Sequence, residues 1–105
     1  MPSRDSSVVD AYRRPLGYVQ LTLTGTAQKL TLPTLPKDTY IGLVIFQMEG
    51  STLSGRWRDD GVAPTATVGM ILSTGDDLFP YTGQFDAIQF ISTSGSPILN
   101  ASYYE

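Results

Sequence analysis

The sequence contains no cysteine and no histidine. Without thiols there is no disulfide scaffold, no thiolate zinc site and no cysteine nucleophile. Without imidazole, the commonest general base near neutral pH and the commonest metal ligand are missing, and with them every Ser-His or Cys-His nucleophile. The double absence argues against an enzyme, and no cofactor is implied. Apolar runs are short as well. None approaches the ~20 residues of a membrane helix, and the opening MPSRDSSVVD lacks the apolar core of a secretory signal. The expectation is a soluble protein made in a cytoplasm, with no membrane partner.

Charge is sparse, at 16% of residues, and slightly negative, at −3 overall. Global attraction to nucleic acid is therefore not expected. The balance is uneven along the chain. Residues 1–16 carry Arg4, Arg13 and Arg14 against Asp5 and Asp10, whereas residues 17–105 carry four basic against eight acidic side chains. A weakly basic arm thus precedes an acidic body. Within the arm only Val8, Val9, Tyr12 and Leu16 offer apolar surface, so residues 1–16 are expected to be extended or disordered.

From Gly17 onward the pattern is that of strands. Val19, Leu21 and Leu23 alternate with Gln20, Thr22 and Thr24, the period-two signature of a half-buried strand. Lys29–Leu32 reads as a short second strand, followed by a loop because Pro33 and Pro36 cannot donate to a ladder. Tyr40–Met48 is the most apolar run and reads as a strand buried on both faces. Leu53–Arg58 is a strand with Leu53, Gly55 and Trp57 on one face; Asp59-Asp60-Gly61 ends it with turn chemistry. Val62–Thr67, which contains Pro64, reads as an irregular connection. Val68–Leu72, Leu78–Tyr81, Phe85–Ile91 and Ile98–Tyr104 complete the set, separated by turn residues that include Ser73–Asp77 and Ser92–Pro97. Seven or eight short strands at about ten-residue spacing, with no amphipathic helix, predict an all-β fold. The expected architecture is a two-sheet antiparallel β-sandwich over residues 17–105, jelly-roll or Greek-key-like, with an extended N-terminal arm over residues 1–16. A chain of 105 residues holds one such core.

Few residues suggest chemistry. Asp59-Asp60 and Asp76-Asp77 could suggest paired-carboxylate catalysis or calcium binding. However, adjacent strand residues point apart, and neither pair has the spaced ligands of a calcium loop. Each flanks a glycine, Gly61 or Gly75, and turn chemistry accounts for both. A carboxylate-only reaction would need Asp59, Asp60, Asp76, Asp77 or Asp86 to converge. The residue types of protein interfaces are better represented. Arg56-Trp57-Arg58 sets two cations on one strand face and the sole tryptophan on the other; arginine and tryptophan are enriched where binding energy concentrates. The alternative is that Trp57 anchors the core while the arginines pair with Asp59, Asp60 or Asp86. Tyr12-Arg13-Arg14, with Arg4 upstream, suits capture of the arm by a neighbouring subunit. Arg4, Tyr12, Arg13, Arg14, Arg56 and Arg58 are thus the candidate interface residues. Tyr103 and Tyr104 face opposite sides of the last strand, so one belongs to the core.

The stretch from Trp57 through Arg-Asp-Asp-Gly-Val-Ala-Pro-Thr-Ala-Thr-Val-Gly-Met-Ile to Leu72 resembles a pattern in small virion-associated proteins of tailed bacteriophages. Gly75, Leu78, Tyr81-Thr-Gly83, Ala87-Ile-Gln-Phe-Ile91 and Leu99-Asn-Ala-Ser-Tyr-Tyr104 continue the likeness, which covers about half the chain and leaves residues 1–54 unmatched. The resemblance implies a structural virion protein and supplies no catalytic residues. It implies a capsid decoration or cement subunit, a neck component or a tail-tip piece, without choosing among them; small size, an acidic body, absent catalytic residue types and β-richness favour a decoration or cement protein that binds the major capsid protein or other virion proteins as a homo-oligomer. It leaves open a neck or tail component, either a ring subunit or a fibre-attachment module. A different class, a carbohydrate-binding module, also fits a jelly roll with aromatic side chains free to stack on sugars.

Overall fold

The computed structural model describes residues 13–50, 54–75 and 78–105. Arg4, Tyr12 and most of the expected arm, together with Leu53, Asp76 and Asp77, lie outside the described residues. Among the described residues eight strands run in chain order: β1 (Pro15–Thr22), β2 (Gln28–Lys29), β3 (Leu43–Glu49), β4 (Ser54–Arg58), β5 (Met70–Ser73), β6 (Phe79–Tyr81), β7 (Gln89–Ser94) and β8 (Ile98–Tyr104). Among the described residues there is no helix.

The strands form two antiparallel four-stranded sheets, ordered β1-β8-β3-β6 and β2-β7-β4-β5. The pairings are nested: β1 with β8, β2 with β7, β3 with β6 and β4 with β5, joined by β3–β8 and β4–β7 contacts. A nested set of this kind is one long hairpin wrapped around itself, so that each half of the chain contributes to both sheets.

Alternation places the inward faces. In β8, Leu99, Ala101 and Tyr103 are buried, and in β3 Val44, Phe46 and Met48 are. The opposing sheet contributes Phe90 from β7 and Leu72 from β5. Phe46 is fully buried and meets Phe90 across the sheets edge-on at 5.2 Å, and Phe79 and Tyr81 at 6.0 and 5.8 Å. The sandwich core is therefore an aromatic cluster ringed by aliphatic side chains, with aromatic pairs in the tilted geometries their quadrupoles favour.

Several sequence expectations need correction. Tyr40–Met48 is not a strand buried on both faces: the strand begins at Leu43, Tyr40 is exposed, and outward-facing Gln47 and Glu49 meet solvent. In a two-layer sandwich no strand has a second protein layer over it, so even the most apolar strand buries only one face. Phe85–Ile88 is a turn, with the amides of Ala87 and Ile88 both donating to the Gln84 carbonyl, and the strand starts at Gln89. The second strand shrinks to Gln28–Lys29, although Leu30 is buried beyond it. The body begins two residues earlier than expected, because Pro15 and Leu16 belong to β1. The turns at Gly61 and Gly75 form where expected, both with left-handed backbone, φ 84° and 85°.

Candidate functional site at the β5 margin

Sequence alternation turns Gly55 and Trp57 of β4 inward and Arg56 and Arg58 outward. Gly55 sits where a side chain has no room, since a Cβ would lie 2.7 Å from the Ile91 carbonyl oxygen. Trp57 pairs in register with Phe90 on one side and Met70 on the other, and its ring packs on Phe79 and Tyr81 at 5.7 and 5.8 Å. It is half-buried at the edge of the aromatic cluster, so it anchors the core and still reaches its margin.

Beyond Arg58 the chain leaves the sheet in a loop that returns as β5. Arg56 fastens this loop. Its Nε donates to the Ala66 carbonyl at 3.2 Å and its Nη1 to the Gly69 carbonyl at 2.8 Å. Within the loop, the Val68 amide donates to the Thr65 hydroxyl at 3.0 Å. Arg58 Nε donates to Asp60 Oδ1 at 3.0 Å, and that hydrogen bond holds the Asp60 carboxyl below its usual range. Asp59, two residues after Trp57 and on the same side, takes the Tyr81 hydroxyl on Oδ2 at 2.7 Å. Burial first and the Asp59 carboxylate second push the Tyr81 phenol well above its ordinary value, so it keeps its proton as a donor.

These residues enclose an open cleft of about 470 Å³, lined by Trp57, Arg58, Asp59, Asp60, Val68, Gly69 and Met70. It holds an aromatic floor, an aliphatic wall, one carboxylate fixed by a neutral donor and one fixed by a guanidinium. The stretch of chain that supplies Val68 and Met70 is rich in exposed apolar side chains. Eight large hydrophobic side chains are exposed among the described residues, and five of them, Val62, Val68, Met70, Ile71 and Leu78, fall between positions 62 and 78. Met70 and Ile71 are 60% and 65% exposed although they point to opposite faces of β5, because β5 is the last strand of its sheet and has a neighbour on one side only. A second cleft, about 390 Å³, lies between Leu32, Leu35, Tyr40 and Ile41 on one side and Gly83–Asp86 on the other.

The sequence-derived interface residues divide into separate groups. Arg13 and Arg14 lie at the opposite end of the strand order, where they fasten the start of β1 to the end of β8. Arg13 Nη1 donates to the Glu105 carbonyl at 3.0 Å, and Arg14 pairs with the Glu105 carboxylate at 2.7 Å. Arg56 and Arg58 belong to the β5 margin, but their guanidiniums are committed to the loop carbonyls and to Asp60. Among the described residues Asp59 and Asp60 line one cleft and Asp86 the other, and no cluster of three metal-ligating side chains occurs. Sequence reasoning passed over Met70, Val68 and Tyr81. One signal was present, since Asp59 follows the end of β4 directly and stands two residues after Trp57.

Trp57, Arg58, Asp59, Asp60, Gly69 and Met70 line one cleft, Tyr81 ties Asp59 in place, and Gly83 lets it do so by leaving room for the Tyr81 hydroxyl. No protein-family model, no curated protein and no solved structure matches the chain.

Proposed function

We propose that the chain is a structural virion protein of a tailed bacteriophage, a capsid decoration or cement subunit of jelly-roll connectivity that acts through contact rather than catalysis. Its partners are the major capsid protein or another virion protein and further copies of itself; it is made in the host cytoplasm and ends in the virion. The observation that carries this reading is the concentration of exposed apolar side chains at 62–78, a segment that overlaps the stretch Trp57–Leu72. Exposed apolar side chains gathered on one stretch of a small protein are the kind of surface that partners cover. The nested pairing supports jelly-roll connectivity, an architecture that serves contact roles in capsid proteins and lectins.

The test is to incubate the purified protein with phage heads lacking it, then sediment the particles and image them. Many copies spread over the head are expected. Copies confined to neck or tail would replace this reading with the ring or fibre-attachment alternative, and absence from every particle would end it. The arm is tested by removing residues 1–12 and no more, since Arg13 and Arg14 are tied to Glu105 and Pro15 opens β1. The truncated protein is expected to stay folded and to lose particle binding.

A further inference from the structure

We infer that the cleft beside β5 takes a lysine or arginine side chain, presented by an extended segment of a partner protein lying along the β5 edge. This rests on the virion reading for the existence of a partner and narrows it to one surface and one chemistry.

The first support is an uncompensated charge. The Asp59 carboxylate is half-buried, and its partner among the described residues is the neutral Tyr81 hydroxyl. The adjacent guanidinium of Arg58 is occupied by Asp60. A carboxylate held in place without a cation, at the mouth of a cleft, is complementary to an incoming one. The second support is the shape of the cleft. Val68 and Met70, 48% and 60% exposed, form an aliphatic wall beside the Trp57 ring. A long side chain can lay its methylenes on that wall and set its charged head between the indole and Asp59, gaining cation–π attraction as well. The third support is the edge itself. Among the described residues β5 pairs with β4 alone, and it shows Ile71 on its outer face. Two of the three other margins are less receptive, since β6 carries Pro80 within its three residues and β2 spans two residues; the remaining one, β1, has no such cleft described beside it. A strand added to β5 would place alternate side chains over the cleft. The acidic balance of residues 17–105, four basic against eight acidic, favours a basic strand over an acidic one.

Trp57 is the only tryptophan and lines the cleft, so its fluorescence reports occupancy. The probes are three capped heptapeptides of alternating threonine and valine with lysine, norleucine or glutamate at the centre. The lysine peptide is expected to shift Trp57 emission saturably and to bind about tenfold more tightly than its twins, a difference that rising salt erodes. Asp59→Asn, which keeps an acceptor for Tyr81, is expected to erase the tenfold preference while leaving the circular dichroism unchanged. Ile71→Lys is expected to abolish binding of all three. Equal binding of the three peptides, an unshifted Trp57 emission, or a lysine preference that survives in Asp59→Asn would overturn the inference. So would light scattering that shows β5 already covered in a homo-oligomer that Ile71→Lys dissolves. A protein that coats heads but ignores the lysine peptide loses only this inference. A protein that binds the peptide but no particle loses only the virion reading.

Discussion

Alkaline pH should reverse the effect of a core substitution at Tyr103. The side chain is 1% exposed, and its hydroxyl donates to the Thr31 carbonyl at 2.8 Å, tying the last strand to the loop after β2. Burial pushes its phenol up to about 12 from an ordinary value of 10.0. Because the folded value is the higher one, the folded state holds the proton more tightly than the unfolded chain. The stabilisation is complete below pH 10 and is lost as pH rises toward 12. With one unit worth about 1.4 kcal/mol, about 1.4 kcal/mol should be gone at pH 11 and a little under 3 kcal/mol above pH 12. Tyr103→Phe removes both the titration and the hydrogen bond, and the lost bond costs about 1 kcal/mol near neutrality. Urea unfolding at a series of pH values should therefore show the variant less stable at pH 8 and the order reversed by about pH 11. Tyr81 titrates in the same direction in both proteins and cancels from the difference. Parallel stability curves between pH 9 and 11.5 would refute the claim that Tyr103 is buried as a neutral donor.

Two further substitutions probe the β4 region. Gly55→Ala should cost about 1–3 kcal/mol by overpacking, because its Cβ would sit 2.7 Å from the Ile91 carbonyl and 3.4 Å from Leu23. Gly25→Ala, with nothing within 4 Å, serves as the neutral control, and equal melting temperatures for the two would show that the close approach is absent. Arg56→Ala should lower stability by about 1–2 kcal/mol and speed amide exchange in the connection from Pro64 to Gly69, since both guanidinium bonds to that loop disappear. Unchanged exchange there would mean that the loop holds itself.

Much of this architecture was legible along the chain because strand alternation is a local property. The opposed faces of Tyr103 and Tyr104, the reversal at Asp60-Gly61, and the opposed faces of Arg56 and Trp57 all follow from a side-chain period of two and from which residues tolerate positive φ. The errors came where local pattern meets packing. Phe85–Ile91 alternates like a strand from its first residue, yet its first half is turned back by hydrogen bonds to Gln84. Tyr40–Met48 is apolar enough for a doubly covered strand, and only the number of layers shows that it has one covered face.

By itself, then, the order of residues determined that the chain folds into short strands around an aromatic core, and it left histidine and cysteine chemistry out of reach. Tertiary structure alone decided which strands became margins, and so left Met70 and Ile71 in solvent beside the Trp57–Asp59 cleft. The physical reason is that burial in a sheet depends on neighbours brought in from distant parts of the chain. A residue cannot be read as exposed until the strand beside it is known to be absent.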